Sequence, residues 1–156
     1  MINITYIFLM SFLLSSISIF CNLEDMNITY KLDIIPQAEE VITLFSKAGL
    51  KRPTEPERIT LMLKNADVLV TAWQEEKLVG ICRTITDWAW CAYLSDLAVF
   101  TDLKNSGIGK EMISITREKI GPQCMLILLS VPTAFDYYPK VGFNKEDRAF
   151  SIERKQ

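Results

Sequence analysis

Residues 93–120, YLSDLAVFTDLKNSGIGKEMISITREKI, read as a buried strand, a short polar turn, two glycines and an amphipathic helix. From Leu94 to Phe100 the run is nearly all apolar on both alternating faces, the pattern of a strand covered on both sides. Thr101, Asp102, Asn105 and Ser106 are turn formers. Gly107 and Gly109 then open a helix whose apolar Ile108, Met112 and Ile115 fall at helical spacing. Lys119 sits in its last turn and Gly121-Pro122 stops it. A strand that feeds a glycine-rich turn at a helix N-terminus makes an anion site. Unpaired N–H groups and the positive end of the helix dipole face outward, and glycine lets a phosphate approach the backbone.

Elimination narrows the choice of anion. A dinucleotide fingerprint requires a third glycine where Met112 stands. A P-loop requires glycine and then Ser or Thr at the positions of Lys104 and Glu111. The stretch that remains, Lys104-Asn105-Ser106-Gly107-Ile108-Gly109, resembles the (Arg/Gln)-x-x-Gly-x-(Gly/Ala) pyrophosphate loop of the GNAT superfamily of acyl-CoA N-acyltransferases. Lys104 replaces the usual Arg or Gln. A second stretch, AFDYYPKVGF at 134–143, resembles the family's Phe-Tyr-x-x-x-Gly-Phe signature, with Tyr138 at the tyrosine. Arg83-Thr84-Ile85-Thr86-Asp87 is also similar to a small subgroup that includes plastid serotonin-type acetyltransferases, and no substrate is carried over from it.

Composition sets outer limits. The chain has 156 residues, 49% of them hydrophobic, which suits one domain with an ordinary core. A formal net charge of -2 gives no electrostatic case for nucleic acid. There is no histidine, which excludes Ser-His-Asp and Cys-His catalysis and His-ligated metal sites, and no metal is expected. Cys21, Cys82, Cys91 and Cys124 lack C-x-x-C spacing and read as buried free thiols of a reducing compartment.

Residues 1–25 form an apolar N-terminal extension. The uncharged run from Ile4 to Leu23 is long enough to span a bilayer, yet no Lys or Arg precedes Lys31, so the basic region of a signal peptide is missing. Three readings stay open: an extension upstream of the true start at Met26, a membrane anchor, or a helix packed on the domain. From Met26 onward basic and acidic residues balance, so the presumed domain, 26–156, is neutral.

Along that domain, Asn27–Asp33 alternates as a strand, and Pro36 introduces a helix over Gln37–Lys47 with Gly49 as its stop. Thr54 with Glu57 has the capping-box pattern for a second helix reaching about Asn65. Asp67–Trp73 and Lys77–Thr86 are strands joined by a hairpin at Gln74-Glu75-Glu76. Trp88–Phe100 continues the antiparallel meander, and Gln123–Val131 follows the central helix as a parallel neighbour. Phe143–Lys145 and Ala149–Glu153 are expected to close the sheet after a further helix. The reading is an α/β, GNAT-like fold: a mixed, mostly antiparallel sheet with one splayed parallel pair, flanked by helices.

The resemblance implies acetyl transfer from acetyl-CoA to a primary amine, a small molecule or a peptide, in the cytoplasm unless residues 1–23 are an anchor. A homodimer is compatible with this reading. The pantetheine is expected along the splay at Leu97, Ala98 and Val99. The pyrophosphate is expected on the loop of Lys104, Asn105, Ser106, Gly107, Ile108, Gly109 and Lys110. Tyr138 is implied as proton donor to the leaving sulfur. Asp96, desolvated by its apolar neighbours, is the candidate base, while Asp87 is a candidate attractor of a cationic amine. Trp88, Trp90 and Tyr93 are candidates for the acceptor pocket. Two rival classes remain, a non-catalytic acyl-CoA-binding module and a membrane-tethered interaction protein.

Overall fold

The computed structural model describes residues 27–155. The apolar extension, its proposed start at Met26, and Cys21 lie outside them. Five strands form one sheet in sequence order: β1 (Ile28–Leu32), β2 (Val68–Gln74), β3 (Lys77–Thr86), β4 (Cys91–Val99) and β5 (Met125–Ile127). Successive pairs are antiparallel except β4 and β5, which run parallel. Helices α1 (Ala38–Ala48) and α2 (Pro56–Lys64) precede β2, and α3 (Ile108–Ile120) connects β4 to β5.

Local chemistry accounts for these boundaries. The Glu40 carboxylate accepts the Gln37 N–H at 3.1 Å, and Gly49 ends α1. Thr54 is not the cap of α2. Pro56 fixes the first helical position, so the cap falls one residue later, on Glu55, whose carboxylate instead accepts the Thr54 N–H at 3.0 Å. In β2, Val68 to Trp73 are all buried, as a central strand with helices on both faces requires. The α3 side carries Gly80 against Met112 and Ile108, and Cys82 against Thr116. The opposite side turns Arg83 toward the Met62 carbonyl of α2. Val41, Leu44, Ile59, Val79, Ile81, Met112 and Ile113 are among the core residues with essentially no exposure.

Strand β4 departs from the expected uniform burial. Its residues alternate, with Ala92, Leu94, Asp96 and Ala98 buried and the intervening ones exposed or half-exposed. The register also slips: Leu94 faces Thr84, but Asp96 faces Arg83, leaving Ser95 as the extra residue of a β-bulge. Directly paired residues share a face, so the bulge turns Asp96 to the α1–α2 side, whereas Leu94 two positions earlier looks toward α3. Cys91 is exposed, contrary to the expectation of buried thiols, because it opens the strand beside the β3–β4 turn. Cys82 and Cys124 are buried as expected.

The C-terminal third is less regular than its sequence suggests. Only Met125–Ile127 of the apolar run 123–131 forms a strand, because β5 leaves β4 after Tyr93 faces Ile127. The helix expected before Gly142 is two 3₁₀ turns, Pro132–Ala134 and Tyr138–Val141. Each opens with a proline in its first turn, where the missing N–H is not needed. The closing strands at 143–145 and 149–153 do not form, and Phe150 and Ile152 are almost fully exposed.

Candidate active site

Where β4 and β5 part, a cleft of about 1670 Å³ opens. Beyond Tyr93 the β5-facing edge of β4 has no strand partner among the described residues, so Leu97, Ala98 and Val99 line one wall with Leu128 to Val131 opposite. At one end lies the glycine-rich turn. Gly107 is the N-cap of α3 at φ +88°, a left-handed conformation that costs an L side chain roughly 1 kcal/mol or more. A glycine cap has no side-chain acceptor, and the preceding Ser106 donates its hydroxyl to the Leu103 carbonyl at 2.7 Å. The first N–H groups of α3 therefore keep their capacity for an outside acceptor.

Of the residues of the expected anion loop, Ser106 does not line the cleft. Lys104, Asn105, Gly107, Ile108, Gly109 and Lys110 all line the cleft. Lys104 reaches back to the Ala48 carbonyl at 3.3 Å, and the neighbouring Thr101 hydroxyl donates to the Lys47 carbonyl at 2.6 Å, so the turn is tied to the C-terminal end of α1. A Cβ on Gly109 would lie only 2.7 Å from the Tyr137 hydroxyl. That tyrosine thus lies against the loop, a placement the sequence reading missed.

Tyr138 lines the cleft too, half-buried, with its ring edge-on to Tyr137 and to Phe143 at centroid distances of 5.3 and 5.6 Å. Burial pushes its hydroxyl up to about 12, helped by the neighbouring Tyr137 and Cys82 and opposed by the positive charge of Arg52. The group stays protonated at any physiological pH.

The two expected carboxylates are placed differently from that expectation. Asp96 is buried, but not alone: Arg52 Nε holds one carboxylate oxygen and Arg83 Nε the other, the latter at 2.5 Å. Arg52 also donates to the Ser95 carbonyl at 2.9 Å, and Arg83 to the Ser95 hydroxyl at 2.6 Å. The same apolar surroundings that desolvate the carboxylate make it recruit counter-charges. Asp96 anchors two cations behind the wall. Asp87 does not line the cleft. Its Oδ1 accepts the N–H groups of Ala89, Trp90 and Cys91 at 3.0, 2.8 and 3.0 Å, which holds the carboxyl well below the usual range and organises the β3–β4 turn. Trp88 and Trp90 ride on that turn, exposed and outside the cleft, because the Asp87 cap folds the chain there before β4 begins. Tyr93 alone of the expected acceptor aromatics lines the cleft. The sequence reading missed Arg52 and Arg83 as partners of Asp96; its signals were a charged Arg83 inside an apolar strand and the polar couple Ser95-Asp96 inside another.

The cleft thus joins a mixed sheet, splayed at its one parallel pair, to an uncapped helix N-terminus at the splay. The model of the acetyltransferase (GNAT) domain matches residues 37–153, and the chain belongs to that family. Acetyl-CoA is the co-substrate of that family's acetyltransferases. No curated protein matches the sequence significantly. Among solved structures, a probable acetyltransferase from meticillin-resistant Staphylococcus aureus superposes with a TM-score of 0.74 at 22% identity, over 83% of this chain and 99% of that one. A GNAT-family acetyltransferase from Streptococcus pneumoniae gives a TM-score of 0.65 at 22% identity, over 82% and 99%. An aminoglycoside acetyltransferase from an uncultured soil sample gives 0.64 at 20% identity, over 86% and 99%. These likenesses support the fold, and they carry no acceptor with them. Among the described residues no helix is long and apolar enough to cross a membrane.

Proposed function

We propose that this domain moves the acetyl group of acetyl-CoA to a primary amine by direct attack, with Tyr138 as the general acid. One observation carries the reading: an uncapped helix N-terminus, a free strand edge and a protonated tyrosine line the same cleft. The coenzyme's pyrophosphate fits the N–H groups of residues 107–110, with Lys104 and Lys110 adding charge nearby. Its pantetheine, an extended chain of amides, fits the open edge at Leu97, Ala98 and Val99, where backbone groups can bond it as a strand would.

The chemistry balances in protons and bonds. The amine nitrogen, having lost its ammonium proton, attacks the thioester carbonyl; a C–N bond forms and the C–S bond breaks. The departing sulfur takes the Tyr138 proton and leaves as free thiol. The amine's proton goes to water, from which Tyr138 is recharged. We assign the base role to water rather than to Asp96, because both oxygens of Asp96 are held by guanidinium groups. Thiol release from acetyl-CoA, followed with a thiol reagent against a panel of amines, tests the proposal. Release that depends on an amine supports it. Binding of acetyl-CoA with no amine-dependent release would reduce the domain to a binding module.

A further inference from the structure

The acceptor end of the cleft is cationic. The wall that the α1–α2 loop, α2 and β3 form there includes Lys51, Arg52, Arg58 and Arg83, set against Asp96 behind the wall and an exposed Glu55; Glu153 and Arg154, which also line the cleft, cancel each other, so two positive charges stand in surplus. The surplus is built into the fold. A single buried carboxylate serves two guanidinium groups, and Arg52, a quarter exposed and lining the cleft, gives Nε to Asp96 and one N–H each to the Lys51 and Ser95 carbonyls, which leaves two of its five N–H donors uncommitted. Among the described residues the acidic side chains that line the cleft are Glu55 and Glu153, and Asp87 is consumed by its own turn. An acceptor that covers Arg52 must offer an acceptor group to those two N–H donors, or they are left desolvated and unsatisfied. A second ammonium on the acceptor would meet like charge in a desolvated wall.

We infer that the acceptor amine carries an anionic group, a carboxylate or phosphate-type oxyanion, which pairs with Arg52 and Arg58 while its amino group faces the thioester. The inference rests on the acetyltransferase reading above and narrows its substrate class. It sets this cleft apart from one made for polyamines.

Four amines of matched length test it: β-alanine, its phosphonate analogue, propylamine and the corresponding diamine, each with acetyl-CoA and a thiol-release readout. The expected result is a kcat/KM at least about tenfold higher for β-alanine or the phosphonate than for propylamine, with the diamine lowest. Which of the two anions is preferred identifies the oxyanion. Arg52→Gln leaves Asp96 with one partner, Arg83, and should collapse the ratio of β-alanine to propylamine toward unity. Should that variant fail to fold, Arg58→Gln, on an exposed position of α2, should lower the same ratio by several-fold. Propylamine or the diamine performing as well as the anionic amines overturns the inference and leaves the acetyltransferase reading intact. So does a failure of all four while other amines of the panel release thiol from acetyl-CoA. If no amine of the panel releases thiol, the underlying reading fails and takes this one with it.

Discussion

Tyr137 and Tyr138 are adjacent, yet they meet different parts of the cleft. The Tyr137 hydroxyl lies against Gly109, while the Tyr138 ring is turned about 72° from its neighbour. Tyr138→Phe should therefore lower kcat by about 10²–10⁴-fold with little change in acetyl-CoA affinity, the usual worth of a positioned acid. Tyr137→Phe should leave kcat nearly unchanged and alter the KM for acetyl-CoA by a few-fold, as its hydroxyl adjoins the loop. Steady-state kinetics with any confirmed acceptor separate the two. Reversed effects would assign the acid to Tyr137. The pH profile follows from the same hydroxyl. The rate should rise with pH as the amine loses its proton, and fall only when Tyr138 ionises. Burial raises that ionisation from the ordinary 10.0 to about 12, so the acid form survives further into alkali and no falling limb should appear through pH 10. A descending limb centred near 10 would rule out a buried Tyr138 as the donor.

At the scale of an element, the start of α3 joins backbone strain to ligand chemistry. Gly107→Asp should abolish the rise in Tm that acetyl-CoA produces by mass action, because a carboxylate would occupy the pyrophosphate's place. Gly107→Ala controls for the positive φ: it pays the same roughly 1–2 kcal/mol of strain but keeps part of the acetyl-CoA response. Gly109 is constrained differently. Its backbone is ordinary helix, and the obstacle to a Cβ is the Tyr137 hydroxyl at 2.7 Å, the next atom being the ring carbon at 3.6 Å. Gly109→Ala should destabilise the fold in the native background and cost much less in Tyr137→Phe. The double-mutant cycle should show a coupling of about 1 kcal/mol. Additive costs would mean that Tyr137 moves aside freely.

For the molecule as a whole, the Arg52–Asp96–Arg83 cluster is the tie that matters. It joins the α1–α2 loop to β3 and to the bulge of β4, segments far apart in the chain. Asp96→Asn removes the anion and leaves two cations facing each other in a buried wall, which should cost about 3–5 kcal/mol in urea unfolding. Aspartate is the smallest carboxylate, so Asp96→Glu should lose stability as well, through crowding rather than charge. A near-neutral Asp96→Asn would mean that solvent reaches the cluster freely.

The periodicities were sufficient for β1 to β3 and for all three helices, because each buries a face whose spacing is local. β3 matches its expected span, Lys77–Thr86, residue for residue. The glycine-rich turn was equally legible, since an uncapped helix start is a property of adjacent residues. The C-terminal strands were not. An apolar run such as 123–131 becomes a strand only as far as a partner lies beside it, and β5 parts from β4 after Ile127. The same holds for the acceptor end of the cleft. Asp96 reads in sequence as a lone carboxylate in an apolar strand. Its two arginines come from positions 52 and 83, and the bulge at Ser95 decides which face it looks toward. Charge pairing across the sheet is a long-range choice, made when the strands register and the loop closes over them, and only the tertiary structure records it.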